Sequence, residues 1–460
     1  MTKKLYSIST IILVLISLII VFEIIRGSLT GGDFVGYINA GNAVINGQDI
    51  YADYLNTWPP LFSVFSVLLG YIDSFSSFFI RFVWLTGSVI AMYCIVNESA
   101  KLVLNKPISL KKTNKTILIQ NTVVLIPLLI ILRFFIDNLA NVQINIYMLL
   151  CSLLTIIFFI KKKYMWVGIL LGLTISLKVY TIFFLFYFIY KREFKPVLWT
   201  FLFLFLFNSL CILVFGFEQT IIYYHQWIIE IAPKSYIAHH KNQSLFGAFL
   251  RFFSSEDPSH NLYVNFLSLR AYTVKKITYL VIVFFALFPA FKLRKKIKDR
   301  GSFNSILEYT LIFTAIPILS PISWKAYFIF LWIPYFILYI ALYKRSSTLN
   351  NQTLLILKYL FWFSVFLNVG STELIVGQYF SDRFAIKPSS TDNRAGIRIV
   401  ISQVNDFTDY SQVLSYLHNI TGVRNVEVAQ VDRGNLELYL SLEGDWAKVQ
   451  RSISLDKKLV

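Results

Sequence analysis

Charge is scarce in this chain of 460 residues: only 15% are Asp, Glu, Lys or Arg, against 56% hydrophobic. A soluble globular fold does not hide that much apolar surface, so a water-soluble enzyme or binding module is excluded first. Cysteine is nearly absent. Cys94, Cys151 and Cys211 all lie inside apolar stretches without CxxC spacing, which excludes a disulfide scaffold and a zinc site and leaves packing as their role. No HExxH or Asp-x-Asp pattern occurs, and Glu256 beside Asp257 is a poor metal pair without further ligands, so neither metal nor cofactor is expected. Acidic residues are outnumbered, 25 against 43 basic, for a net charge of +18. The cations sit in short clusters beside apolar blocks and form no single basic face, which argues against nucleic acid as a partner.

What the chain has instead is aromatic and aliphatic bulk, with 43 Phe and a mean hydropathy of +0.62. The apolar residues come in blocks of about twenty, the length of a membrane-crossing helix, which predicts an all-α polytopic protein of roughly ten to twelve transmembrane helices. The first, Tyr6 to Ile25, follows Lys3 and Lys4 and lacks a small-residue cleavage site, so it reads as an uncleaved span. The positive-inside rule puts the clusters at Lys101 to Lys115, Lys161 to Lys163, Lys191 to Lys195, Lys292 to Arg300 and Lys344–Arg345 on the cytoplasmic side. The loops at Arg26 to Thr57, Ile136 to Gln143, Phe217 to Thr273 and Ser320 to Trp324 then share the external face of an inner, plasma membrane. Pro60 to Tyr71 is too short for a span and reads as an interfacial or re-entrant half-helix. Tyr164 to Tyr190 has basic residues at both ends and Lys178 in the middle, which predicts a hairpin of two short helices with Lys178 near its tip.

The character changes near the C-terminus. Residues 1–380 form the membrane domain, 381–396, with Lys387 to Ser390, a polar linker, and 397–460 a small α+β accessory domain. Strands are expected at Ile397 to Ile401, Val423 to Val431 and Leu436 to Leu442, with helices over Asp409 to Leu417 and Trp446 to Ile453. This tail resembles part of a bacterial domain of unknown function around Gly422 to Val428, Leu438 to Gly444 and Leu455 to Leu459.

Polar residues of unusual kind gather in the loops assigned to the external face. The first holds Gly31, Gly32 and Asp33, then Tyr37, Tyr51, Trp58, Pro59 and Pro60. Alone, Asp33 reads as a helix cap and the aromatics as an interfacial belt. The other loops add Arg133, Asn138, Gln143 and Asn145; Lys178; His239, His240, Asn242, Gln243, Ser244 and Arg251; and Ser320, Pro321, Ser323 and Trp324. Snorkelling is the plain alternative for Lys178, and interfacial anchoring for Arg251.

With those residues in order, the chain resembles glycosyltransferase family 87, the polyprenyl-phosphate-mannose-dependent mannosyltransferases of the GT-C superfamily. The matching pieces are Asp33 with Tyr37, Ala40, and Gly47 through Tyr51 to Pro60; Val142, Gln143 and Asn145; Gly168, Gly172, Leu177 and Lys178; Asn242 to Ser244 with Arg251; and Ser320 to Trp324. Two positions depart from the family pattern: Val142 stands where Gly is usual, and Val179 where Pro follows the lysine. The resemblance implies transfer of a hexose, mannose by the family's habit, from a polyprenyl-phosphate sugar to a glycan or glycolipid acceptor, with inversion. Asp33 is then the expected catalytic base, and Lys178 and Arg251 the cations that meet the donor phosphate. Tyr37, Tyr51, Trp58, Gln143, Asn145, His240, Asn242, Gln243, Ser244 and Trp324 are the expected sugar or acceptor contacts. A transporter or lipid-linked-glycan flippase is the rival class, and it expects repeats and midplane charges that the sequence does not display.

Overall fold

The computed structural model describes residues 3–52, 56–109, 113, 115–232, 241–254, 267–344, 350–370 and most of 397–450. Two compact units divide the chain, residues 1–363 and 364–460. His239, His240, Glu256, Asp257, the 381–396 linker and Leu455 to Leu459 lie outside the described residues.

The first unit is a polytopic helical membrane protein. Among the described residues six helices are long and apolar enough to cross a bilayer, and five more apolar helices are shorter. At 1.5 Å per residue the shorter ones measure less than a hydrocarbon core about 30 Å thick. In order come α1 (Lys3–Thr30), α2 (Phe34–Ile45), α3 (Pro60–Phe75), α4 (Ser77–Leu104), α5 (Thr122–Ala140), α6 (Asn145–Ile160), α7 (Tyr164–Leu177), α8 (Ile182–Tyr190), α9 (Phe194–Phe215) and α10 (Phe217–Gln226). There follow α11 (Leu245–Phe253), α12 (Ala271–Lys292), α13 (Phe303–Leu319), a 3-10 helix (Lys325–Leu331), α14 (Trp332–Lys344) and α15 (Asn351–Gly370).

Side chains are sorted opposite to a soluble protein. Leu18, Leu198, Phe205, Leu213, Leu280 and Phe284 are each at least 60% exposed, on α1, α9 and α12, where only lipid can cover them. Close helix contact is reserved for small residues. Gly168 and Gly172, one turn apart on α7, abut α9 so tightly that a β-carbon would come within 2.5 Å of Trp199 and 2.8 Å of Phe203.

The Tyr164–Tyr190 segment breaks at Lys178, whose φ of −147° and ψ of 109° are extended, and a 3-10 turn (Val179–Thr181) leads into α8. Its two ends return to one place: Arg300 donates to the Tyr164 hydroxyl at 2.8 Å and to Glu193 at 2.6 Å. At that same end Lys191 pairs with Glu308 at 2.6 Å. Lys178 therefore sits at the opposite end of the bundle from these ion pairs.

The second unit contains a three-stranded antiparallel sheet of β1 (Ile397–Ser402), β2 (Val423–Asp432) and β3 (Asn435–Leu442) in the order β1-β3-β2, with α16 (Phe407–His418) against one face. Alternation decides its core. Leu436, Leu438 and Leu440 of the central strand point inward and are fully buried, in one cluster with Val413, Leu417 and Val426. The strands and α16 fall where the sequence alternation and helical period place them.

Candidate active site

The site begins at the turn after α1. Gly31 and Gly32 take φ values of +83° and +50°, left-handed backbone that glycine adopts without steric cost. A β-carbon on Gly32 would lie 2.7 Å from the Asn141 carbonyl oxygen, so only glycine lets the two loops meet. The contact is used at once, because the Asp33 amide donates to that carbonyl at 3.0 Å.

Asp33 stands at the cap position of α2, yet its φ of −68° and ψ of −11° are helical and its side chain accepts no capping hydrogen bond. The capping explanation for this residue therefore fails. Its exposed carboxylate accepts a hydrogen bond from Gln143 Nε2 instead.

Gln143 is presented by an equally tight turn. Val142 is fully buried at φ +50°, a region costly for a β-branched residue and open to glycine without steric cost. Gln143 Oε1 accepts from Asn145 Nδ2 at 3.3 Å and from the Tyr37 hydroxyl at 3.4 Å. Asn145, fully buried at the start of α6, uses Oδ1 to accept from Lys178 Nζ at 3.2 Å and from the Tyr180 hydroxyl at 3.0 Å. Asn138 braces the group, accepting from Asn145 at 3.2 Å and donating to the Ala326 carbonyl at 2.8 Å. All donors along Lys178, Asn145 and Gln143 point toward Asp33, so an ammonium and a carboxylate are joined through two aligned amides.

Lys178 is 6% exposed. Its ammonium lies 5.2 Å from the Tyr327 ring centre and 5.9 Å from that of Tyr180, and Asp33 is the charge that acts on it. Asp33 in turn feels Lys178 and also Lys241.

A second cluster closes over the loops. Asn242 Oδ1 accepts from the backbone amides of Ser244 (3.1 Å) and Ser323 (2.9 Å), and its Nδ2 donates to the Pro321 carbonyl at 3.0 Å. Ser244 caps α11 by accepting from Gly247 and donates to the same carbonyl at 3.0 Å. Arg251 donates to the Asn242 carbonyl at 2.7 Å, and burial lowers its pKa below the ordinary guanidinium value.

Of the expected residues, Asp33, Tyr37, Gln143, Asn145 and Lys178 come together in one network. Asn242, Ser244 and Arg251 instead pin the 241–247 segment to residues 320–323, and the side chain of Gln243 is exposed. Two aromatics depart from their expected role. Tyr37 is fully buried with its ring against Trp58 and Phe62, and its contribution is a hydroxyl in the polar network. Tyr51 is 7% exposed, packed on Tyr223, with its hydroxyl donating to the Trp58 carbonyl at 2.9 Å. Neither can offer a face to a sugar, because hydrophobic packing has already covered both rings. Trp58, stacked on Phe62, and Trp324 are half-buried, and His240 lies outside the described residues. Sequence reasoning missed Tyr180, Tyr327 and Lys241. Tyr180 and Lys241 adjoin selected positions and were within reach of that reading, whereas nothing local marks Tyr327.

Among the described residues no three His, Cys, Asp or Glu side chains gather as metal ligands. A family model described as Glycosyltransferase family 87 matches residues 56–307, more than half of the chain and including Gln143, Asn145, Lys178, Asn242 and Arg251. No curated protein and no solved structure matches the chain.

Proposed function

The chain belongs to glycosyltransferase family 87 and is a membrane glycosyltransferase, and from that we propose that it moves a hexose, mannose in the simplest case, from a polyprenyl-phosphate carrier to a glycan or glycolipid acceptor on the non-cytoplasmic face of the inner membrane. The observation that carries this reading is the carboxylate of Asp33, freed from helix capping and tied through Gln143 and Asn145 to the buried ammonium of Lys178.

The acceptor hydroxyl gives its proton to Asp33 while its oxygen bonds to the anomeric carbon. The bond from that carbon to the phosphate oxygen breaks, its electron pair leaves on the polyprenyl phosphate, and the configuration inverts. A phosphate leaves well without an acid, so one carboxylate suffices where glycoside hydrolysis generally uses two. Lys178, fixed where water is scarce, meets the negative charge that grows on the leaving oxygen. Lys241 supplies the second cation, on a loop that Asn242 and Arg251 hold in place, so Arg251 acts as a positioning residue.

Asp33→Asn is expected to lower transfer about 100- to 10,000-fold in a protein that still elutes as a folded species. The measurement is product formation in membranes given labelled polyprenyl-phosphate sugar. Transfer at the wild-type rate would remove Asp33 as the base, and transfer from a nucleotide sugar alone would remove the lipid-linked donor. A panel of polyprenyl-phosphate sugars read by mass spectrometry names the hexose.

A further inference from the structure

We propose that Arg81 forms a second anion site, on the lipid-facing side of the Asp33 turn, that holds the phosphate of a membrane lipid. Arg81 lies in the first turns of α4, and its guanidinium rests against the Gly31 turn: a β-carbon on Gly31 would be 2.9 Å from Cζ and 3.0 Å from Nη1. The glycine is thus needed for its φ of +83° and also to leave the guanidinium its place.

Among the described residues Arg81 makes no ion pair and no hydrogen bond, and its Nε is buried without a partner. One turn on, the indole N–H of Trp84 is also buried without an acceptor. Positions three apart on a helix share a face, so the two donors lie close together on α4, and among the described residues no acceptor reaches either of them. Arg300 behaves differently, being spent on Glu193 and Tyr164, whereas the Arg81 guanidinium has no such partner among the described residues. A guanidinium held that way offers a planar fork that suits phosphate oxygens.

The surroundings identify the kind of phosphate. Phe78, Phe79, Phe82 and Val83 flank Arg81 and are 47%, 53%, 41% and 46% exposed. A free phosphate ion would satisfy the guanidinium and leave these side chains bare, whereas a lipid phosphate covers both. The shared chemistry is a phosphate ester on an apolar tail, and its source is either the polyprenyl phosphate of the donor or a phospholipid of the bilayer. The site rests on the membrane reading of the chain. It does not require Asp33 to be the base.

Binding, and not transfer, is therefore the measurement. Purified full-length protein carrying Lys178→Met, which removes the other phosphate site proposed above, is offered polyprenyl phosphate, phosphatidylglycerol, phosphatidylcholine or inorganic phosphate, and retained adducts are counted by native mass spectrometry. The expected result is retention of one lipid phosphate and at least a tenfold loss when Arg81→Gln is added, with Arg81→Lys between the two. Preference for polyprenyl phosphate names the donor as the source, and equal retention of phosphatidylglycerol names the bilayer. Retention unchanged by Arg81→Gln, or retention of inorganic phosphate alone, overturns the proposal and leaves Arg81 an interfacial anchor. A readout without any substitution covers the case of a variant that does not fold: polyprenyl phosphate should slow phenylglyoxal modification of Arg81 in the wild-type protein at least fivefold, and equal rates with and without the lipid overturn the site. Loss of transfer in Asp33→Asn with adducts intact would separate this site from the catalytic assignment.

Discussion

Two lysines of this protein are buried to nearly the same degree, Lys178 at 6% and Lys191 at 3% exposure, and they have opposite surroundings. An ammonium has three protons to place. Lys191 places all of them, on Glu308 at 2.6 Å and on the carbonyls of Leu293 (2.5 Å) and Lys295 (2.8 Å). Lys178 places one, on the neutral amide of Asn145 at 3.2 Å, and otherwise faces aromatic rings. Burial alone does not mark a functional cation. The acceptors left over do, because an ammonium kept from water without a counter-charge beside it is a standing cost that an arriving anion relieves.

The contrast is broken or sharpened by substitution. The largest effect is expected at the satisfied end: Lys191→Met or Glu308→Gln leaves an uncompensated buried charge or unpaired acceptors and should cost about 3 to 5 kcal/mol of stability, read by thermal unfolding, while the folded fraction keeps its specific activity. Next, Lys178→Met should slow transfer about 100- to 1,000-fold with an unfolding temperature equal to or above that of the wild type. If instead it unfolds the protein as Lys191→Met does, the two lysines are alike and the phosphate role fails. Asn145→Leu removes the acceptor that Lys178 and Tyr180 share and is expected to cost about 1 to 3 kcal/mol, with a loss of activity in the same preparation. The smallest effect is expected for Val142→Gly. Relief of left-handed strain, about 1 to 2 kcal/mol, offsets the lost burial of the valine, so stability should move by less than about 1 kcal/mol and transfer should persist.

These expectations rest on features that were unequally legible in the sequence. Helix breaks at Gly31–Asp33 and at Lys178 were readable because glycine pairs and a lone charge interrupt apolar runs. The small sheet was readable because Leu436, Leu438 and Leu440 alternate. The path from Asn145 through Gln143 to Asp33 was not, since residues 110 positions apart meet only through folding. Tyr37 and Tyr51 were misassigned for a related reason: pattern says that an aromatic is near the interface and cannot say which of its faces is already covered. Arg81 escaped notice because it is a single cation amid phenylalanines, and its lack of partners is visible only in three dimensions.

The return of the Tyr164–Tyr190 segment to Arg300 has a consequence for anyone mapping sidedness. Because the chain goes in and comes back, it adds an even number of passages. Reporter enzymes fused just ahead of Tyr164 and just behind Tyr190 should land in the same compartment. A window-based count that scores this stretch as one crossing would invert every loop that follows, and with them the compartment assigned to Asn242, Ser323 and Trp324.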